Sequence, residues 1–402
     1  MSKIRHEVFD LDFYFLLIYS LLPGIGKIIG INLMLLYVPM LIYWFIKKDK
    51  TLYKIDIPFL IFVFFLLLYI FVSYVAIPTN KIGIILGIVL VFFPMFGYFL
   101  FRNEKSVNSF ALKLITVIFI HGIIGIYLYP FFGIANTSNN IVKALTDGVA
   151  WGRMASVSGS LGFGNLIMIG FILSLYFKPL LAPFFFSLVI FSMQRSSWMG
   201  SAFAIFLYLI FLLKKGYLKR FNIVLSIIMI LVIAVIFFVP KFINFDFSYL
   251  INRFSKLFSG ISESGGVRSS LWQNGIDNFL EYPLGTGFGQ VGQVGTRYVD
   301  GAFKVCPDGD YFRMLSEYGI NFIIFFGFIV LCFIYLFFFS NMNLEDNCFF
   351  SVSLSTAIQM IGSNITEFYF DNFLFWIFIG INIKKVRVLL VQRTRLIQGC
   401  IT

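Results

Sequence analysis

The side chains best able to do chemistry cluster in one polar stretch, residues 241–313, and at the edges of the apolar segments around it. The stretch includes GGVRSSLWQNGIDNFLEYPLGTGFGQVG and then RYVDGAFKVCPDGDYFRMLSEYG, which runs on past Arg313. Arg253, Lys256, Arg268, Arg297, Lys304 and Arg313 interleave there with Asp300, Asp308, Asp310 and Glu317. Arg195, in the short turn MQRSS, and Arg153 stand beside apolar runs, where an ionisable side chain is expensive and points to function. A guanidinium pairs phosphate oxygens bidentately and stays charged, so Arg153, Arg195, Arg268, Arg297 and Arg313 suit an anion site. In lipid surroundings that anion is expected to be a lipid-linked pyrophosphate. Asp308, Asp310 or Glu317 could then deprotonate an attacking hydroxyl. The pyrophosphate would leave as its growing charge is neutralised. Plainer readings exist for the same residues. Arg313 and Glu317 stand four apart and can pair on one helix face, the remaining loop charges can be a solvated surface, and Arg153 and Arg195 can snorkel to an interface.

Other motifs carry less. Asp308-Gly309-Asp310 has the DxD form of metal-dependent sugar-nucleotide transferases, but three letters recur by chance and nucleotide sugars are cytoplasmic. Gly285, Gly287 and Gly289 form a GxGxG run with no strand before it and no helix after it, so a dinucleotide loop is not expected. Cys306, Cys332, Cys348 and Cys400 have no metal-binding spacing, and the two histidines are His6 and His121. No metal site and no cofactor are expected. The formal net charge of +12 belongs mostly to residues that flank apolar runs. It therefore points to membrane lipids and topology rather than nucleic acid.

These residues must be positioned by a membrane frame. The chain has 402 residues, 59% hydrophobic and only 12% charged, about half the charge typical of a soluble domain. Its apolar runs approach the roughly 20 residues needed to cross a bilayer. They are apolar on every face, which excludes the alternation of a β-barrel. We expect about twelve spanning helices, near 11–25, 29–46, 57–75, 82–100, 111–129, 161–177, 180–192, 199–213, 221–239, 320–339, 349–360 and 373–383. Pro23-Gly24 is read as a hairpin or a kink, and the first apolar run as a retained span. The basic turns 47–54, 102–105 and 214–220, together with Lys178 and the basic tail, fall on one side, the cytoplasm. Both termini are then cytoplasmic. Residues 131–160, 241–313 and 362–372 lie outside, the last with Glu367 and Asp371. Within a single integral membrane domain, 1–402, residues 241–313 form the long outer loop. Its segment 269–282 reads as an amphipathic helix on the membrane surface, with Leu271, Ile276, Phe279 and Leu280 on its apolar face and Pro283 at its end.

Three blocks resemble the bacterial O-antigen polymerase and ligase superfamily. The first runs from Arg153-Met-Ala-Ser-Val-Ser-Gly-Ser to Asn165. The second is Gln194-Arg195-Ser196-Ser197-Trp198-Met199-Gly200, similar to a Ser-Arg-Ser/Thr-x-x-x-Gly turn with Gln194 replacing the first serine. The third joins Arg268-Ser-Ser-Leu-Trp272 and Pro283-Leu284-Gly285-Thr286-Gly287 to Asp308-Gly-Asp-Tyr311-Phe-Arg313-Met-Leu-Ser-Glu317-Tyr-Gly319. The resemblance implies a GT-C-like, all-α polytopic fold in the bacterial inner membrane, whose long periplasmic loop carries short helices. It also implies metal-independent glycosyl transfer at the periplasmic face, with undecaprenyl-pyrophosphate-linked oligosaccharides as substrates and a polysaccharide chain-length regulator as a candidate partner. The family's functional arginines correspond to Arg195 and Arg268. Ligases open the last block with His-Asn and use the histidine in catalysis; Asp308-Gly309 stands here instead. That departure favours a polymerase over a ligase, with Asp308 the first choice of base. A flippase for lipid-linked sugars is a further alternative, although no internal repeat is visible.

Overall fold

The structure is a computed structural model of the chain. It describes residues 10–29, 37–47, 52–76, 81–102, 104–131, 139–146, 149, 153–157, 160–217, 263–292 and 309–399. In chain order the helices are α1 Leu11–Ile29, α2 Tyr37–Ile46, α3 Ile57–Ala76, α4 Lys81–Gly87, α5 Glu104–Leu128, α6 Asn140–Thr146 and α7 Ser160–Phe177. They continue as α8 Ala182–Phe191, α9 Arg195–Lys214, α10 Glu263–Glu281, α11 Asp310–Tyr318, α12 Ile320–Phe339, α13 Leu344–Gln359 and α14 Tyr369–Gly399. Among the described residues there is no β-strand. Among the described residues, five helices are long and apolar enough to cross a bilayer: Lys54–Val75, Lys81–Phe99, Val107–Phe131, Arg195–Lys214 and Ile320–Phe339. Shorter apolar helices cover Leu11–Leu22, Gly162–Phe177 and Pro179–Phe191. The chain is a polytopic, all-helical membrane protein, as its composition requires. Each expected span has a helix over all or part of it except 221–239, which lies outside the described residues.

The chain packs as two compact units. One comprises Met1–Ile31, Ala111–Gly265 and Leu354–Gln359; the other comprises Asn32–Phe110, Gly266–Ser353 and Met360–Thr402. In the first, α7 packs on α8 and α9. α1 continues through Pro23-Gly24, so no hairpin forms there. A Cβ at Gly24 would lie 2.5 Å from the Cβ of Val157, so the missing side chain lets that residue seat against the helix. His121 is buried between Ser156 Oγ, 2.7 Å from Nδ1, and Ser20 Oγ, 2.9 Å from Nε2. Ser20 gives its own proton to the Leu17 carbonyl at 2.8 Å, so it accepts from Nε2–H.

In the second unit the expected span 82–100 changes form along its length. It runs as α4, then a π-turn at Ile88–Phe92, then a 3-10 segment at Phe93–Phe99. Pro94 explains the break, because it has no N–H to give the Leu90 carbonyl and its ring crowds that carbonyl. In a bilayer the freed carbonyls need other donors. The Asn372 amide supplies them, at 3.1 Å to Leu90 O and 3.0 Å to Val91 O. α13 begins earlier than the expected 349, because Asn343 and Asp346 cap its start reciprocally, with Asp346 N–H 2.7 Å from Asn343 Oδ1.

This unit also buries an ion pair. Arg102 donates to both carboxylate oxygens of Asp56, at 2.6 and 3.1 Å, and to the Gly380 carbonyl at 3.3 Å. Tyr98 Oη adds a bond of 3.0 Å to Asp56. Both charged side chains are fully enclosed. Removing one partner of such a pair typically costs about 3–5 kcal/mol, whereas replacing both by apolar groups of similar size is often near neutral. The Asp56→Ala protein should therefore melt well below wild type in detergent, and the double variant Asp56→Leu, Arg102→Met should regain much of the difference. Thermal unfolding of the three purified proteins checks this.

Candidate functional site

The third sequence block is assembled by three elements of the second unit. α10 covers the expected amphipathic segment and stops at Pro283, as expected; the following turn leads to Gly292, and α11 returns the chain to α12. α10 docks on α11 through Trp272, which stacks on Phe312 with ring centroids 5.2 Å apart. Asn278 also donates to Ser316 Oγ at 3.1 Å. The turn is tied down by its backbone. Thr286 N–H donates to Ser316 O at 3.0 Å, Phe288 N–H to Ser73 Oγ at 2.9 Å, and Gly289 N–H to Glu317 Oε1.

Arg313 is the centre of this assembly. Its guanidinium donates to Glu317 Oε2 at 2.5 Å, to Thr366 Oγ1 at 2.6 Å and to Asp310 Oδ1 at 3.3 Å. Asp310 in turn accepts from Thr366 N–H at 2.9 Å and from the Thr366 hydroxyl at 2.5 Å. The three side chains are almost wholly enclosed: Asp310 is 0% exposed, Arg313 1% and Glu317 2%. Two glycines make the enclosure possible. A Cβ on Gly292 would collide with the Glu367 carboxylate and with Arg313 Cδ. Gly309 adopts φ 118°, a backbone conformation that L side chains avoid, and there its N–H donates to Asn364 Oδ1 at 2.8 Å.

The cluster's electrostatics follow from burial. Desolvation raises the Asp310 carboxyl above its usual range, against the opposing pull of Arg313 and the Thr366 hydrogen bonds. Desolvation also pushes Glu317 up to about 7, while Arg313 and the Gly289 N–H pull it down and the nearby Glu367 adds to the rise. Enclosed and mutually bonded in this way, Asp310, Arg313 and Glu317 make a brace. It joins the 283–292 turn, α11 and the 3-10 turn Ile365–Glu367.

The first unit holds Arg195 and Arg153. α8 and α9 are joined by a tight turn in which Met193 takes the left-handed φ of 54°, so Arg195 becomes the first residue of α9. Three other letters of its block have packing roles. Trp198 Nε1 donates to Val189 O at 2.8 Å, locking the turn. Ser197 Oγ accepts from Gln359 at 2.7 Å. Gly200 leaves room for Met168 Sδ and the Ser355 carbonyl. Arg195 is half-buried at a helix start, where backbone N–H groups lacking intrahelical partners favour anions. Arg153 is also half-buried, and its neighbour Met154 donates to Phe191 O at 3.0 Å, which ties that segment to the end of α8.

Of the remaining expected site residues, Asp308 and Arg297 lie outside the described residues. Arg268 is placed on α10, but its side chain lies outside them too. Thr366 and Asn364 were not anticipated as partners of the third block. The sequence signal for them is the polar run Ser363-Asn-Ile-Thr-Glu367 between two apolar helices.

The raised Glu317 pKa fixes the sign of a pH effect. Between its ordinary 4.5 and about 7, the folded protein holds this proton more tightly than the unfolded chain does. Its stabilising contribution is thus complete below pH 4.5 and is lost as pH rises to about 7. Melting temperatures measured across that window should fall with pH more steeply for wild type than for Glu317→Gln. Parallel curves would remove Glu317 as a titrating member of the cluster.

Residues 179–332 match a family model described as O-antigen ligase. The matched segment includes the second and third blocks, and with them Arg195, Arg268, Arg297, Asp308, Asp310, Arg313 and Glu317. No curated protein matches the chain. The family match falls on the second and third of the blocks that carried the resemblance, the first lying outside it, and it is consistent with a place for this membrane protein in the O-antigen polymerase and ligase superfamily.

Proposed function

We propose that this chain is an O-antigen polymerase of the bacterial inner membrane. It joins undecaprenyl-pyrophosphate-linked repeat units at the periplasmic face, without a metal. A hydroxyl on the non-reducing end of the acceptor unit attacks the anomeric carbon of the donor glycan. The bond from that carbon to the pyrophosphate oxygen breaks, the proton passes to a carboxylate, and the lipid pyrophosphate leaves. Arg195 and Arg268 are assigned to neutralising the pyrophosphate, with Arg153 and Arg297 as further candidates. Asp308 is assigned as the base. The enclosure of Asp310 and Glu317 around Arg313 supports a bracing role for those three.

The observation that carries the choice of polymerase over ligase is the lack of a histidine for the loop. The closing block has Asp308-Gly309 where ligases have His-Asn, and the chain's histidines are His6 and His121. Both ring nitrogens of His121 are engaged by Ser20 and Ser156 in the other unit's interior. The family model's description keeps the ligase as the second reading.

A deletion strain separates the two. Loss of a polymerase should leave lipid A-core bearing a single repeat unit. Bare lipid A-core, with polymer accumulating on the carrier lipid, would establish the ligase instead. In the complemented strain, Arg195→Ala and Arg268→Ala should each remove long chains while membrane levels of the protein stay normal. The lysine variants should be poorly active, because an ammonium cannot reproduce the bidentate fork. Normal ladders from both alanine variants would take these arginines out of the mechanism.

A further inference from the structure

The turn after α10 has been treated so far as part of a polar outer loop, but its anchoring points lie deep along α3. α3 stays apolar and outward-facing to its last turn, where Phe71, Val72 and Val75 are exposed, Val75 by 65%. On a bilayer-spanning helix, such a face belongs in hydrocarbon, so the apolar layer reaches at least to Val75. The Leu284 carbonyl accepts a hydrogen bond from Tyr69 Oη. Tyr69 stands six residues before Val75, which at helical rise is about 9 Å deeper along the axis. The turn climbs from there, since Phe288 N–H bonds Ser73 one turn of α3 later. The other side of the turn is fixed to the start of α12, where Ile320 N–H donates to Pro283 O at 2.9 Å and Asn321 donates to Tyr69 Oη at 3.0 Å.

Two further features fit immersion. Several of the turn's backbone polar groups are taken up inside the protein, as lipid demands of non-helical chain. Gly285 N–H donates to Tyr282 O at 2.8 Å, Thr286 N–H to Ser316 O, and Gly289 N–H to Glu317. Its exposed large apolar side chains are Leu280, at 67%, and Leu284, at 69%, with the exposed charge of Glu281 between them in sequence; Ile323 and Ile324 of α12, whose start is bonded to Pro283, are exposed as well. Tyr282 is exposed beside them, a residue type common at bilayer interfaces.

We propose that the 280–288 segment is a wedge sunk into the outer edge of the bilayer, with Leu280 and Leu284 in contact with the hydrocarbon chains of membrane lipids. Continuity with the lipid-facing surfaces of α3 and α12 identifies that occupant. The proposal rests on the chain being a membrane protein and is independent of the glycosyl-transfer reading.

Single tryptophans at the wedge test it. Leu284→Trp and Leu280→Trp are compared with Gln273→Trp, two turns before Leu280 on the same exposed face of α10, in nanodiscs of phosphatidylcholine brominated on the upper part of its acyl chains. Each signal is read as the difference from wild type, which has five tryptophans. The added emission of the wedge variants should be quenched by brominated lipid at least twofold more than that of Gln273→Trp, with the order reversed for aqueous iodide. Two wedge positions are used so that one misfolded variant does not end the test. Iodide quenching at positions 280 and 284 as strong as at 273 would place the turn in water and overturn the proposal.

Discussion

A guanidinium removed from water has to be met by acceptors on every side, and Arg313 shows what that requires of the chain. Its partners come from its own helix, Asp310 and Glu317, and from Thr366, more than forty residues on. Glu317 then reaches the Gly289 backbone, and Asp310 reaches both N–H and hydroxyl of Thr366. Opening any one of these links would leave a buried charge without its partner, which costs several kcal/mol. The arrangement of the 283–292 turn, α11 and the 365–367 turn therefore stands or falls together. Gly292 and Gly309 are glycines because the cluster leaves no room for a side chain at the first and needs a left-handed backbone at the second.

The same logic applies wherever this chain interrupts a helix. Pro94 leaves the Leu90 carbonyl without its helix donor, and Asn372 donates to it and to the Val91 carbonyl beside it. The turn after α10 turns carbonyls toward α3 and the start of α12, where Tyr69, well inside α3, and the Ile320 N–H cover them. In lipid there is no solvent to do this work, so side chains far away in sequence are committed to it. The polar residues of this chain are few, and many of them serve backbone or buried charge. This narrows the set available for chemistry.

Much of the framework could be read from sequence because it depends on local pattern. The apolar runs among the described residues became helices, the amphipathic segment after Arg268 became α10, Pro283 ended it, and the spacing of Arg313 and Glu317 was realised as a 2.5 Å ion pair. What depended on distant partners was hidden. Spacing revealed the Arg313–Glu317 pair but could not show that Thr366 and Gly289 complete it, so solvated loop charges and buried ones looked alike. Of the hairpin or kink that Pro23-Gly24 suggested, the hairpin is excluded because the helix continues, and Val157 packs where Gly24 has no side chain. Asn372 gave no sequence sign that it would repair the break at Pro94. Arg195 was legible as a costly charge beside apolar runs, while the reasons for its neighbours Ser197, Trp198 and Gly200 emerged only from packing.

The central claim is catalytic: this membrane protein joins lipid-linked repeat units by glycosyl transfer. The most direct measurement supplies the purified protein, in nanodiscs with a metal chelator present, with defined undecaprenyl-pyrophosphate-linked repeat units and no lipid A-core. The account predicts a ladder of glycans that grows by whole repeat units and appears equally with or without added divalent metal. Repeat units that stay single until lipid A-core is added would contradict it.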